Sequence, residues 1–167
     1  MVGKDGSPPM EMEAFTKTIT FYLTAVFNVM RHVAAAIARQ EPDENGARGV
    51  IINTASIAAY EGQIGQLPPY SAAKGGVVAM TLVAARDLSP LGIRVMAIAP
   101  GTINTPRLRQ GRRPAGGVLG GSAGAVPPSG WAVRSSTGNW PSRSPRTTTS
   151  TAKTIRLDGG ALRFPPK

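Results

Sequence analysis

An alternation of two apolar patterns between residues 13 and 100 constrains the fold of this chain more than any other feature. From residue 13 to residue 39, apolar side chains recur every three or four positions, which predicts an amphipathic helix. A continuous stripe of seven residues is expected to be buried along it: Phe15, Ile19, Leu23, Val26, Met30, Val33 and Ile37.

Two short apolar runs, at residues 49–53 and 93–99, have the pattern of strands that are buried on both faces of a parallel sheet. Between them, a second helix is predicted from Tyr70 to about Leu88. The order helix, strand, helix, strand indicates an α/β fold. We therefore expect part of a Rossmann-like, doubly wound parallel sheet.

The pattern stops after Pro106. Residues 107–153 contain no Ile, Phe, Met or Tyr and consist mostly of Gly, Pro, Ser, Thr and Arg, which predicts a disordered, low-complexity segment. Strand character resumes at residue 154. The expected organisation is thus a partial Rossmann-like domain with the catalytic motifs (1–106), the disordered segment (107–153), and a terminal strand and tail of the same domain (154–167).

Charge and composition exclude several classes of function. The net charge is +10, but eight basic residues and no acidic one lie in 107–153, and the rest of the chain carries only +2. The basic character belongs to that segment, so a nucleic-acid partner is not expected. Without cysteine, and with His32 as the single histidine, neither a metal site nor a Ser-His-Asp triad is expected. No continuous apolar run reaches the ~20 residues of a membrane span, so we expect a cytoplasmic protein with no membrane partner.

Tyr70 and Lys74 are the strongest candidates for catalysis. They stand one turn apart on one helix face, where an ammonium would lower the pKa of the phenol and make an acid–base pair. On spacing alone, a surface pair is the commoner outcome. Ser56, however, follows a buried strand at the edge where open α/β sheets place their active sites, and Pro100-Gly101 ends the next strand at the same edge.

Three segments resemble motifs of the short-chain dehydrogenase/reductase family. They are Asn53-Thr54-Ala55-Ser56, Tyr70-Ser71-Ala72-Ala73-Lys74 and Pro100-Gly101-Thr102-Ile103-Asn104-Thr105. Residues 49–106 are most similar to the branch that acts on 3-hydroxyacyl-CoA. The resemblance implies an NAD(P)-dependent oxidoreductase that interconverts a secondary alcohol and a ketone, with NAD favoured and NADP left open.

The resemblance also implies a role for each matching residue. Tyr70 would exchange the proton of the substrate oxygen, and Ser56 would hydrogen-bond that oxygen. Lys74 would lower the pKa of Tyr70 and bind the nicotinamide ribose together with it, while Gln63 would line the substrate pocket. Four residues would flank the nicotinamide and its phosphates: Pro100, Gly101, Thr102 and Thr105. A homodimer or homotetramer is implied through the helices at 13–39 and 70–88.

The chain departs from the family in four respects. No glycine-rich strand-to-helix turn occurs upstream of residue 49, so we expect a sequence truncated at its amino end. Tyr22 stands where the family usually has the Asn of a proton relay, and we interpret it as an ordinary helix aromatic. Thirteen residues separate Ser56 from Tyr70, one more than usual. Residues 107–153 have the composition expected of a shifted reading frame.

These departures leave two alternatives to an active dehydrogenase. A catalytically inactive dehydrogenase fragment would serve only in oligomerisation, and it would form a defined oligomer without binding NAD(H). A basic nucleic-acid-binding protein would use the Arg-rich segment with Trp131 and Trp140 as stacking platforms, and it would show salt-dependent binding to single strands.

Overall fold

A computed structural model describes residues 6, 8–61, 68–101 and 152–157 of the chain. The helices and strands, in chain order, are α1 (Met12–Ile19), a π-helical turn (Thr20–Thr24), α2 (Ala25–Ala38), β1 (Gly49–Thr54), a 3-10 turn (Ile57–Ala59), α3 (Pro68–Leu88), a second 3-10 turn (Ser89–Leu91), β2 (Ile93–Pro100) and β3 (Thr154–Leu157). The predicted order of helices and strands is confirmed. The segment 107–151 lies outside the described residues, so its predicted disorder stays a prediction.

The three strands form one parallel sheet in the order β1-β2-β3. Gly49 pairs with Ile93 and Thr54 with Ile98, so β1 and β2 end at the same edge. Pro100 pairs with Leu157 at the end of β3. The predicted partial Rossmann-like sheet is therefore present, and the carboxyl ends of its strands meet at one edge.

The central strand β2 is nearly continuously buried, as expected for a parallel sheet covered on both faces. Two apolar clusters pack around the sheet. The larger consists of Met30, Ala34, Ile51, Ala84, Ala85, Ile93 and Val95. The smaller, which lies towards the carboxyl edge, consists of Ala55, Val77, Ala97 and Ala99. Small side chains dominate the second cluster, so the helices approach the sheet closely there.

The prediction of a continuous buried stripe along the first helix was wrong. Only Met30 of its seven residues is buried, while Phe15 and Val33 are 37% and 38% exposed. Ile19, Leu23, Val26 and Ile37 are half-buried, so the stripe faces the core on both sides of the π-helical turn Thr20–Thr24 but is only partly covered.

By length and composition, the helix from Met12 to Ala38 could cross a membrane, with a mean hydropathy of 1.3 in its most apolar window. The helix contains no continuous apolar run of that length, because scattered polar residues interrupt it. The same properties occur in core helices of soluble proteins, so they are weak evidence for a membrane span.

Candidate active site

Ser56 lies two residues beyond β1, at the carboxyl edge of the sheet. Its backbone is extended, and its hydroxyl accepts a hydrogen bond of 3.2 Å from the amide of Ala58. This contact caps the 3-10 turn that follows the strand and holds the Ser56 side chain beside α3. The end of β1 is itself held by Asn53, whose buried amide donates to the hydroxyl of Thr81 on α3 at 3.0 Å.

Tyr70 lies in the first turn of α3, which begins at Pro68 rather than at Tyr70 as predicted. Proline suits the first turn of a helix because the amide it lacks would have no partner there. The Ser56 side chain lies within reach of the Tyr70 phenol and, as a hydrogen-bond partner, lowers its pKa. The extra residue between Ser56 and Tyr70 therefore does not separate the two hydroxyls.

Lys74 lies one turn beyond Tyr70 and is only 8% exposed. Its Nζ donates a hydrogen bond of 2.8 Å to the backbone carbonyl of Thr54, the last residue of β1. The same atom is 5.9 Å from the centre of the Tyr70 ring and 5.4 Å from that of Tyr22. Lys74 thus ties α3 to the strand end and places a cation beside two phenols.

The pKa values of the pair differ from the expectation. Burial raises the pKa of Tyr70; a hydrogen bond from Ser56 lowers it to a smaller degree, and the nearby Tyr22 adds to the rise. Burial lowers the pKa of Lys74. Burial, rather than the ammonium, therefore sets the direction of the shift in the pKa of Tyr70. In this arrangement the protonated phenol is the favoured form of Tyr70.

Tyr22 lies beside this site, a contact that the sequence did not indicate. Its ring lies edge-on to that of Tyr70, with centroids 4.9 Å apart and an interplanar angle of 90°. The ring thus contacts both members of the acid–base pair, at 4.9 Å from the Tyr70 ring and 5.4 Å from the Lys74 ammonium. Helical periodicity could not reveal this, since it does not show which residues of another helix a side chain meets; Tyr22 lies in the π-helical turn.

An ion pair joins β3 to the residues just after the first 3-10 turn. Arg156 of β3 lies 2.6 Å from a carboxylate oxygen of Glu61, just beyond the 3-10 turn that Ser56 caps. The guanidinium also lies 6.0 Å from the centre of the Tyr60 ring. The ion pair thus connects β3 to the loop that follows Ser56.

The remaining predicted site residues fall into two groups. Pro100 ends β2, and the amide of Gly101 donates to the carbonyl of Leu157 at 3.0 Å, so both lie at the carboxyl edge. Gln63, Thr102 and Thr105 lie outside the described residues. Within the described ranges there is no cluster of His, Cys, Asp or Glu side chains that could hold a metal ion.

Comparison with known proteins gives the same family for sequence and structure. The family profile of short chain dehydrogenases matches residues 3–115. The 3-hydroxyacyl-CoA dehydrogenase type-2 of Bos taurus is 59% identical over 97 residues, which cover 58% of this chain and 37% of the bovine protein. This chain thus spans well under half the length of that relative.

Two solved structures share the fold. The 3-hydroxyacyl-CoA dehydrogenase type-2 from Mycobacterium avium is 45% identical, with a TM-score of 0.84 over 99% of this chain and 62% of the other. A 3-oxoacyl-[acyl-carrier protein] reductase with bound NAD from Brucella melitensis has a TM-score of 0.74 at 22% identity, covering 93% of this chain and 54% of the other. The second likeness concerns the fold alone.

Proposed function

The chain belongs to the short chain dehydrogenase family, and on that premise we propose that it interconverts a secondary alcohol and a ketone with an NAD-type cofactor. The observation that carries the proposal is the meeting of Ser56, Tyr70 and Lys74 at the carboxyl end of β1. A phenol, a hydroxyl and an ammonium at one sheet edge form an acid–base site for an oxygen-bearing carbon.

Tyr70 is the proton carrier in this proposal. Because burial raises its pKa, the phenol is protonated at neutral pH and donates its proton to the oxygen of a ketone during reduction. In the reverse direction the phenolate accepts the proton of the alcohol. Ser56 donates a hydrogen bond to the same substrate oxygen and holds it within reach of the phenol.

Lys74 and the end of β2 would hold the ribose and nicotinamide of the cofactor. An ammonium has three donors, of which one reaches the Thr54 carbonyl, so Lys74 has the capacity to bind ribose hydroxyls as well. Pro100 and Gly101 lie at the same edge and would flank the nicotinamide. When bound, the cofactor supplies or accepts the hydride. We also propose that Thr102 and Thr105, which are not among the described residues, contact the cofactor.

More specifically, we propose NAD as the cofactor and a 3-hydroxyacyl-CoA-like molecule as the substrate. They are supported by the name of the bovine relative and by the motifs of residues 49–106. We propose Gln63 for the substrate pocket, residues 1–106 and 154–167 for one domain, and the cytoplasm for its location. NADP remains the second cofactor to be tested.

The test is the oxidation of NADH in the presence of acetoacetyl-CoA by the full chain, followed at 340 nm. Wild type should turn over, and Tyr70→Phe, which removes the proton carrier and keeps the ring, should lose about 100-fold or more in rate. Leu91→Ala is the control, since Leu91 is 42% exposed in the 3-10 turn before β2, at the opposite edge of the sheet, and the change should leave the rate unchanged. Equal rates for wild type and Tyr70→Phe would contradict the proposal.

A second function, homo-oligomerisation, is supported by exposed apolar side chains on the two long helices. Phe21, Phe27 and Val29 of the first helix, and Leu82 and Val83 of α3, are between 40% and 69% exposed. We propose that copies of the chain pair through these helices, as a homodimer or homotetramer. Light scattering should give a mass of two or four chains. A dimer without NADH binding by calorimetry would favour the inactive interaction protein over the enzyme.

A further inference from the structure

Tyr22 reaches the acid–base pair because of two local features of the first helix. The π-helical turn Thr20–Thr24 changes the direction in which its side chains leave the helix. At the next residue, Leu23 lies directly over Gly76 of α3, where a Cβ would come within 2.9 Å of a Leu23 methyl group. Gly76 thus permits a close approach of the two helices at the point where Tyr22 lies.

The Tyr22 ring contacts both functional groups of the site. It meets the Tyr70 ring edge-on at 4.9 Å and lies 5.4 Å from the Lys74 ammonium. The edge-to-face arrangement is a favoured geometry for two aromatic rings, and a cation within ~6 Å of a ring centre is attracted to it. Phe21 in turn lies edge-on to Tyr22 at 4.9 Å.

We propose that Tyr22 is a positioning residue of the acid–base pair, whose ring fixes the Tyr70 phenol and the Lys74 ammonium relative to each other and excludes water from the space between them. This inference rests on the proposed function of Tyr70 as the proton carrier. In this inference the aromatic ring of Tyr22, more than its hydroxyl, positions the Tyr70 phenol and the Lys74 ammonium.

The ring has a consequence that a purely structural residue would not have. Burial is the largest cause of the raised pKa of Tyr70, and the Tyr22 ring contributes to that burial. In the described part of the chain, the titratable groups around Tyr70 are Tyr22 of the first helix and Lys74 of its own helix, while the turn after β1 supplies the Ser56 hydroxyl. Loss of the ring should therefore admit water and lower the pKa of Tyr70.

The test is a spectrophotometric titration of tyrosine ionisation at 295 nm on the full chain. Tyr70→Phe identifies the part of the signal that belongs to Tyr70. The Tyr70 midpoint should be highest in wild type, slightly lower in Tyr22→Phe, which keeps the ring, and lowest in Tyr22→Leu, which removes it. Leu91→Ala removes an exposed apolar side chain at the opposite edge of the sheet and should leave the midpoint unchanged.

An unchanged Tyr70 midpoint in Tyr22→Leu would overturn the inference, whether or not the chain turns over. If Tyr22→Leu loses its helical circular dichroism and is therefore unfolded, the Tyr70 midpoint of Tyr22→Phe alone tests the inference. A midpoint in that variant as low as that of free tyrosine would assign the effect to the hydroxyl and overturn the role of the ring. Absence of NADH-dependent turnover in wild type would refute the proposed function and would leave the titration result standing.

Discussion

Two adjacent glycines on α3 allow a prediction that isolates the close approach of the helices beneath the site. A Cβ added at Gly75 would meet no atom within 4 Å, whereas one added at Gly76 would lie 2.9 Å and 3.1 Å from the two methyl groups of Leu23. Gly75→Ala and Gly76→Ala therefore make the same chemical change in the same helix, but only Gly76→Ala creates a steric conflict.

The expected magnitudes follow from helix propensity and overpacking. Alanine in place of glycine stabilises a helix interior by about 0.8 kcal/mol, so Gly75→Ala should raise the free energy of unfolding by about that amount. Gly76→Ala has the same gain, but 2.9 Å is about 0.6 Å shorter than a favourable carbon–carbon contact. Moving the Leu23 side chain should cost about 1 to 3 kcal/mol. The net effect of Gly76→Ala should be a loss of about 1 kcal/mol.

Urea unfolding of the two variants, followed by circular dichroism at 222 nm, measures the difference directly. Gly75→Ala should unfold at higher urea than wild type and Gly76→Ala at lower urea, with equal slopes. Stabilisation of both variants by a similar amount would refute the close packing of Leu23 on Gly76. It would also remove the physical reason for the position of Tyr22.

Three further predictions concern the sheet and the site. Gly46→Ala should cost about 1 kcal/mol for its positive φ of 78° alone, whereas Gly92→Ala, at φ 68°, should cost about 3 kcal/mol because its Cβ would also overlap the carbonyl oxygen of Gly46; urea midpoints check both. Burial raises the pKa of Tyr70, so the protonated phenol stabilises the folded state fully below about pH 10, the unfolded value, and this stability is lost as the pH rises through the folded-state pKa. In urea melts above about pH 10, wild type should therefore lose stability relative to Tyr70→Phe. Glu61→Gln should lower the free energy of unfolding by about 0.5 kcal/mol through its ion pair with Arg156, and the difference should shrink in 0.5 M NaCl; a loss independent of salt would show that the charge pair is not its cause.

The sequence was sufficient to predict the elements that depend on local pattern. The strands at residues 49 and 93 are within one residue of their predicted ends, because continuous apolar runs mark strands that are buried on both faces. Ser56, Tyr70 and Lys74 meet as expected, since the carboxyl ends of parallel strands share an edge.

What the sequence could not predict depends on the register and packing of the first helix. The π-helical turn Thr20–Thr24 has no periodic signature in the sequence, and helical spacing does not show that Tyr22 contacts Tyr70 and Lys74. The raised pKa of Tyr70 was missed for a related reason. Spacing shows that an ammonium is near the phenol, but the degree of burial, which decides the direction of the shift, appears only in three dimensions.

The central claim is that Tyr70 supplies the proton when a ketone is reduced at this site by hydride from a nicotinamide cofactor. The most direct measurement is mass spectrometry of the product formed from acetoacetyl-CoA and NADH deuterated at both C4 positions. Wild type should give 3-hydroxybutyryl-CoA that carries one deuterium, and Tyr70→Phe should give almost none in the same time. Absence of labelled product from a folded wild-type chain, or equal labelling by the Tyr70→Phe variant, would contradict the account.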